Sequence, residues 1–258
     1  MITRKSPAEI EKMRRAGRIV AEVLALIESE LAPGVSTAHL DRIAERHIRA
    51  AGAIPSFKGY LGGGRYGKGP DAFPASTCIS IDNEVVHGIP GDRTIRGGSI
   101  VSVDVGAILD GWHGDGARTF IVGEVPDEVR KLVEATQLAM MAGINAAQPG
   151  ARIEDISAAV EDVGRAHGYG IVRPFVGHGI GTKMHEDPQV PNYRTGRRGE
   201  ELKPGTCLAI EPMFTLGSGG VHIEPDRWTV STTDGALAAH FEHTIAVTEH
   251  GPQILTRV

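Results

Sequence analysis

Apolar residues recur every three or four positions between Ile10 and Leu31, which predicts an amphipathic helix. Ser6-Pro7-Ala8-Glu9 precedes this segment, and Ser6 and Glu9 are placed to cap each other's backbone amides at the helix start. The Pro33-Gly34 pair predicts where the helix ends. Its buried face is predicted to comprise Ile10, Met13, Gly17, Val20, Leu24, Ile27 and Leu31.

The same reading extends along the rest of the chain. A second helix is predicted from about residue 37 to 51, and two more at 127–147 and 153–166. The second helix is expected to direct Leu40, Ile43, His47 and Ile48 inward. Short apolar runs predict strands at 77–81, 85–87, 99–107, 117–122, 171–180, 206–214, 220–224, 227–231 and 238–248.

The order of helices followed by strands occurs twice, which indicates an internal duplication. Residues 33–52 align without gaps on 149–168 with six identities, and 98–104 align on 205–211 so that both segments end on a carboxylate. We therefore predict an α+β fold with a curved antiparallel sheet and helices on one side. Residues 1–258 would form a single catalytic domain of two pseudo-repeat halves, about 1–124 and 125–258.

A tight hairpin is predicted at Asp110-Gly111, between two of the expected strands. With a two-residue loop there, Leu109 pairs with Trp112 and Ala117 lies opposite Asp104. Asp115 then faces Gly106, on the same face as Asp104 and ~7–8 Å from it along the diagonal of the ladder. That separation suits two carboxylates that share a cation.

Each half thus delivers two acids to one place, because His113-Gly-Asp115 resembles His240-Phe-Glu242. Singly, Asp115 could be a turn residue and Glu211 a satisfied acid before Pro212. Four matched acids without cations would repel each other, so the set favours a site for divalent metals. His178 lies between glycines and could approach the same site. The candidate ligands are Asp104, Asp115, His178, Glu211 and Glu242.

Other motifs give little support for a zinc-peptidase, nucleophilic or nucleotide-binding site. Gln189 stands where HExxH would need its second histidine, and no GxSxG elbow is present. Cys78 is better interpreted as a small buried residue than as a nucleophile. The stretch from Gly62 to Lys68 resembles a phosphate-binding loop but lacks the required Ser or Thr, so we expect a flexible surface loop at 62–69.

Composition limits the setting. The chain has 258 residues, a net charge of −5 and two cysteines without CxxC spacing, so neither nucleic acid nor a disulfide framework is expected. No signal peptide or membrane-spanning run is visible. A cytoplasmic protein fits best.

Several motifs together resemble a known family. They are Val85-Val-His-Gly88, Ser102-Val-Asp104, His113-Gly-Asp115, Gly177-His-Gly-Ile-Gly181, Met184-His-Glu-Asp-Pro188, Ala209-Ile-Glu-Pro-Met213 and Phe241-Glu-His-Thr244. The chain is similar to the bacterial-type, type I methionine aminopeptidases, which have the pita-bread metallopeptidase fold. The likeness extends from the first helix to Ile254. Departures from the family pattern include about ten extra residues between Tyr60 and Phe73, and Met184 in place of an aromatic.

The resemblance implies two divalent metal ions (Co, Mn, Fe or Zn), bridged by Glu242. Glu211 would also shuttle a proton, His185 would stabilise the oxyanion, and His87 would contact the scissile amide. The methionine pocket would be lined by Tyr60, Phe73, Cys78 and Trp228.

The implied reaction removes the N-terminal methionine from peptides and nascent chains when the second residue is small. The resemblance also implies a monomer that does not associate with membranes. The resemblance leaves open a monovalent-cation site near Asp82 and docking to the ribosome. The alternatives are a proline-specific aminopeptidase or prolidase on the same fold, and a non-catalytic binding protein of that fold.

Overall fold

The computed structural model describes residues 2–61 and 72–258, and the predicted loop at 62–69 lies outside the described residues. The helices are α1 (Pro7–Glu30), α2 (Thr37–Ala50), α3 (Asp127–Ala146) and α4 (Ile153–His167). Among the described residues, no helix is both long and apolar enough to cross a membrane. The strands are β1 (Ile54–Pro55), β2 (Thr77–Ile81), β3 (Glu84–Val86), β4 (Ser99–Leu109), β5 (Trp112–Val122), β6 (Gly170–Ile171), β7 (Gly177–Gly179), β8 (Glu186–Val190), β9 (Cys207–Ile210), β10 (Met213–Thr215), β11 (Val221–Ile223), β12 (Val230–Thr232), β13 (Ala238–His240), β14 (Glu242–Thr248) and β15 (Gly251–Ile254).

Helix α1 begins where its sequence predicts. Ser6 and Glu9 form a capping box, in which the Ser6 amide donates to Glu9 Oε2 over 2.7 Å. The predicted face is buried from Met13 to Ile27, while Ile10 and Leu31 at its ends are partly buried. Of the residues of α2 expected to face inward, Leu40 and Ile48 are buried. Ile43 and His47 are only partly buried, and His47 Nε2 pairs with Glu22 of α1, 3.0 Å away.

The hairpin of β4 and β5 has the predicted register. Leu109 pairs with Trp112, Asp104 with Ala117, and Gly106 with Asp115. The turn residues Asp110 and Gly111 have φ of 53° and 81°, as a two-residue turn with the twist of the flanking strands requires. The turn chemistry therefore sets which side chains of the two strands share a face.

Nine strands of the described chain form one antiparallel sheet, in the order β1-β4-β5-β14-β9-β7-β8 with β15 beside β14 and β2 beside β4. Val101, Val103 and Val105 of β4 pack toward α1 and α2. Apolar residues of β9 and β14 pack toward α3 and α4. Because successive residues of a strand point to opposite faces, Asp104 lies on the face of β4 turned away from α1 and α2.

Several predicted strands are divided in the structure. The run 206–214 is two strands, β9 and β10, which stop on either side of Glu211-Pro212. Proline has no amide hydrogen to continue a ladder, which accounts for the break. The runs 171–180 and 238–248 are likewise each two strands, and β1, β8 and β15 were not predicted.

The two halves repeat the same backbone hydrogen bonds. The Gly34 amide donates to Ile95 O over 2.8 Å, and the Gly150 amide donates to Leu202 O over 2.8 Å. Gly34 and Gly150 both have φ near 90° (91° and 88°), a conformation that favours glycine. The turn glycines that precede the two central strands, Gly98 and Gly205, donate in the same way to Val122 and Val247.

Helix α1 lies unusually close to β5 at Gly114. A Cβ at Gly114 would come within 2.5 Å of the Gly17 backbone nitrogen. Both contacting groups belong to the backbone, so the clash could be relieved only by moving α1 or β5. We expect Gly114→Ala to lower the free energy of unfolding by roughly 1–3 kcal/mol, as overpacked cores do. Urea unfolding of the metal-free chain would measure this change.

Gly91→Ala provides the matched control. No heavy atom lies within 4 Å of a Cβ placed there, and Gly91 needs no positive φ. Its free energy of unfolding should stay near that of the wild type. Equal stability of all three proteins would show that the helix does not approach the strand this closely.

Candidate active site

The carboxylates follow a single row across the sheet. Asp104 of β4 pairs with Ala117 of β5, and Ala117 pairs with Glu242 of β14. On β14, His243 pairs with Ile210 of β9, which leaves Glu242 across from Glu211. The small side chain of Ala117 therefore stands between Asp104 and Glu242, and it leaves room for a bound group.

Asp115 lies one step along from this row, on the diagonal from Asp104. Its backbone is tied to β14, because Thr244 Oγ1 accepts from the Asp115 amide over 3.0 Å and donates to the Asp115 carbonyl over 2.8 Å. The Asp115 side chain is 3% exposed. The strand pairing thus holds the Asp115 carboxylate beside the row.

His178 reaches the same place from β7. Its Nδ1 lies 2.9 Å from the carbonyl oxygen of Gly179, and a carbonyl can only accept, so Nδ1 carries the proton. The free Nε2 lies 3.5 Å from Glu211 Oε1 and 3.8 Å from Asp115 Oδ2. A fixed tautomer of this kind is typical of metal-ligating histidines.

The electrostatics of the five groups call for a cation. Burial raises the pKa of Asp104 to about 7. Burial and the charges of neighbouring carboxylates raise the pKa values of Asp115, Glu211 and Glu242 well above their usual range. Burial, then His185, lowers the pKa of His178 to about 3, so its imidazole is neutral at pH 7.

The donor atoms also fit a divalent metal. Asp104 Oδ1, Asp115 Oδ1 and Glu242 Oε1 are buried and have no hydrogen-bond partner among the described residues. One ligand atom each of Asp115, His178 and Glu242 can be chosen so that all lie within 4.8 Å of one another. Carboxylate oxygens with one imidazole nitrogen suit several divalent first-row metals.

His185 lies next to this cluster. The centroid of its ring is 4.3 Å from that of His178, and its Nδ1 is 2.7 Å from the Tyr60 hydroxyl. Burial lowers the pKa of His185 and raises that of Tyr60. The hydroxyl therefore stays protonated and can donate to Nδ1, which leaves the proton of His185 on Nε2.

His87 stands on the other side of the site. It has a φ of 61°, which is uncommon for a residue other than glycine. Its ring meets Phe175 and Trp228 edge-on, with centroids 5.5 and 6.3 Å away. Burial, then His185, lowers the pKa of His87 to about 4, so the ring is a neutral hydrogen-bonding group.

An apolar pocket adjoins the acids. Phe73 and Trp228 meet edge-to-face at 5.2 Å, and Phe73, Ala75 and Cys78 form a buried cluster against which Tyr60 and Trp228 pack. Cys78 pairs directly with Asp104 across β2 and β4. Burial, then Asp104, raises the pKa of its thiol well above the usual range, which argues against a thiolate nucleophile.

The sequence interpretation missed or misplaced several residues of the site. Phe57 and Phe175 adjoin it, and nothing local in their sequence marks them. Thr244 lies in the motif Phe241-Glu-His-Thr244 but was given no role in the site. The sequence comparison matched Asp115 with Glu242, but the strand pairing matches Asp115 with a different residue. Met213 pairs with His240 in the second half as Gly106 pairs with Asp115 in the first, so Asp115 corresponds to His240. The signal for His240 was its place two residues before Glu242, because alternate strand residues share a face.

Asp82, the residue near the suggested monovalent-cation site, has a local structural role. Its Oδ1 accepts from the Ile100 amide over 3.0 Å, and its Oδ2 accepts from Ser99 Oγ over 3.2 Å. With a φ of 59° it shapes the turn between β2 and β3. A cation site there stays a prediction.

Comparisons with known proteins agree with this arrangement. Residues 11–249 match the model of metallopeptidase family M24. A methionine aminopeptidase of Clostridium acetobutylicum is 50% identical over 257 residues, which is 99% of each chain. The crystal structure of a methionine aminopeptidase from Thermotoga maritima has a TM-score of 0.94 at 40% identity and covers 100% of both chains. A prolidase from Pyrococcus furiosus shares the fold, with a TM-score of 0.78 at 23% identity, and the match covers 65% of that chain.

These similarities confirm the predicted pita-bread fold and the resemblance from which it was inferred. The chain belongs to metallopeptidase family M24 and, within it, groups with the bacterial type I methionine aminopeptidases.

Proposed function

We propose that the chain is a metal-dependent aminopeptidase that removes N-terminal methionine from peptides and nascent chains when the second residue is small. One observation carries the proposal: buried, unpartnered carboxylate oxygens lie beside an apolar, aromatic pocket. The first can hold cations, and the second can hold a thioether side chain, which packs well on aromatic rings.

Asp104, Asp115, His178, Glu211 and Glu242 would be the ligands of two divalent ions. The bound ions would supply Lewis-acid activation of a water molecule and of the peptide carbonyl. Co, Mn, Fe and Zn all tolerate this set of oxygen and nitrogen donors. The protein's own contribution is the row of strands that fixes where each donor stands.

Glu211 is placed to carry the proton. Burial and the charges of Asp115 and Asp104 raise its pKa, so Glu211 accepts a proton more readily than an exposed glutamate does. Its Oε1 faces His178 at 3.5 Å, toward the cluster of donor atoms. In the proposed reaction Glu211 takes a proton from the attacking water and passes it to the departing amine.

Two histidines would orient the substrate. With Tyr60 donating to Nδ1, His185 presents its Nε2–H to the oxygen of the scissile carbonyl, where negative charge develops. His87, held between Phe175 and Trp228, would hydrogen-bond the scissile amide. Tyr60, Phe73, Cys78 and Trp228 would enclose the methionine side chain.

The two alternative functions, a proline-specific peptidase and a non-catalytic binding protein, have less support. A proline-specific enzyme shares the fold alone at 23% identity, and that prolidase is much longer than the matched region. A non-catalytic protein would not need to keep buried, mutually repelling acids. A monomeric state, a cytoplasmic location and docking to the ribosome stay predictions.

The proposal is tested by the release of free methionine from Met-Ala-Ser and Met-Lys-Ser after chelation, with Mn²⁺, Co²⁺ or Fe²⁺ restored. We expect metal-dependent cleavage of the first peptide and little of the second, because the site must exclude a long second side chain. Cleavage of an Ala-Pro-Ser peptide instead, or of none by the metal-loaded protein, would reject the assignment.

Replacement of Glu211 by glutamine removes the proton carrier but keeps the shape of the side chain. We expect Glu211→Gln to lower kcat on Met-Ala-Ser by roughly 10²–10⁴-fold. Glu161→Gln is the control. Glu161 is also a buried glutamate, but it belongs to α4 and pairs with Arg165 and Arg194 instead of with residues of the site. Wild-type turnover by the Glu211 variant would disprove the role.

Metal binding should release protons. Asp104 has a pKa of about 7, and burial and neighbouring carboxylates raise the pKa values of Asp115, Glu211 and Glu242, so the metal-free site retains protons that a divalent ion must displace. His178, with a pKa of about 3, is already deprotonated and adds none. Metal affinity should therefore rise as the pH rises from about 6 to 8.

Calorimetric titration with Mn²⁺ in two buffers of different ionisation enthalpy measures the number of protons released. We expect a net release at about pH 7.5, and a larger apparent enthalpy difference between the buffers as the pH falls toward 6. Identical heats in both buffers would contradict the protonated metal-free site.

A further inference from the structure

His240 is a buried imidazole that the proposed reaction does not use. It is the last residue of β13 and is 1% exposed. Both ring nitrogens are buried, and neither has a hydrogen-bond partner among the described residues. A neutral imidazole must carry a proton on one nitrogen, and a buried N–H without an acceptor costs about 1–3 kcal/mol. The ring therefore needs an acceptor within the site.

The ladder places His240 on the face that carries the acids. It lies two residues before Glu242 and pairs with Met213, which lies two residues after Glu211. In the first hairpin the residue with the same place in the ladder is Asp115. The second half of the fold thus puts an imidazole where the first half puts a carboxylate of the site.

The backbone of His240 is held so that the ring keeps this direction. Thr119 Oγ1 accepts from the His240 amide and donates to the His240 carbonyl, each over 2.8 Å. Thr119 is itself 2.8 Å from Ser102 Oγ on β4. The backbone of His240 is therefore held by β5 of the central hairpin, which fixes the direction of the ring.

The neighbour at which the ring aims is Glu211. His240 Nε2 lies 4.0 Å from Glu211 Oε2, which a small shift or one bridging water would convert into a hydrogen bond. The other oxygen, Oε1, is the one that faces His178. The two carboxylate oxygens thus have separate neighbours, one toward the donor cluster and one toward His240.

We propose that His240 is a positioning residue whose Nε2–H donates to Glu211 Oε2, directly or through one water, and so aims Oε1 at the metal centre. The inference rests on the proposed function, because it assigns Glu211 to that centre. Partners that orient a metal ligand typically change metal affinity or activity by about 10–100-fold when they are removed.

The test compares His240→Leu, which keeps the bulk but no donor, with His240→Gln, which keeps an N–H donor. Each metal-free protein is titrated with Mn²⁺, and kcat and KM are measured on Met-Ala-Ser. We expect the leucine variant to lose about 10–100-fold in Mn²⁺ affinity or kcat, with little change in KM. The glutamine variant should recover most of the loss.

His243→Leu is the matched control. His243 lies on the opposite face of β14, where its Nδ1 is 2.8 Å from Thr256 Oγ1. That variant removes a neighbouring imidazole and should alter thermal stability while Mn²⁺ affinity stays at the wild-type value. If His240→Leu does not fold, His240→Ala is titrated with and without added imidazole, which should restore the affinity.

The proposal is overturned if His240→Leu matches the wild type in both Mn²⁺ affinity and kcat. It is also overturned if His240→Gln is as defective as His240→Leu, since the ring itself would then be the ligand or the packing element. Failure of imidazole to rescue the alanine variant has the same meaning. The Mn²⁺ titration needs no substrate, so it remains informative even if the wild type releases no methionine and the proposed function fails.

Discussion

The repulsion among buried carboxylates is the constraint on which the rest of this structure depends. Asp104, Glu242 and Glu211 share one row of the sheet, and Asp115 lies on its diagonal. Without cations these groups resist ionisation, as their raised pKa values record. The strands can hold them together only because other contacts stabilise the sheet, chiefly the helices packed against its far face.

The two halves of the fold place their acids in related but different arrangements. Both have a turn glycine, Gly98 or Gly205, with a carboxylate six residues later, Asp104 within β4 and Glu211 just after β9. In the first hairpin the acids stand on a diagonal, whereas in the second Glu211 and Glu242 stand directly across from each other. Pro212 separates β9 from β10 at that point. The place of Asp115 is then taken by His240, which makes the centre chemically asymmetric.

Local chemistry explains which features could be predicted from the sequence. The capping box at Ser6 and the Asp110-Gly111 turn act over a few residues, so the start of α1 and the register of the central hairpin follow from them. Asp104 and Glu211 could be predicted because each follows an apolar run, and Asp115 and Glu242 because the chain repeats a histidine two residues before an acid.

Long-range and weakly patterned features could not be predicted in this way. Strand β8 includes Pro188 and several polar residues, and β1 has two residues, so neither shows an apolar alternation. The contact of Tyr60 with His185 joins residues 125 positions apart, and no local signal encodes it. The partial exposure of His47 depends on Glu22 of another helix, which a helical period does not reveal.

The same ladder that positions the acids also positions the apolar pocket beside them. Cys78 in the pocket wall pairs directly with Asp104, and Ala117 follows on the other side of Asp104. A shift of β2 by one residue would turn Cys78 away from the site, because side chains alternate between faces. The distance from pocket to donor atoms is therefore a property of backbone pairing rather than of flexible loops. In the proposed reaction, selectivity for the first side chain and the position of the cleaved bond would therefore both depend on one strand register.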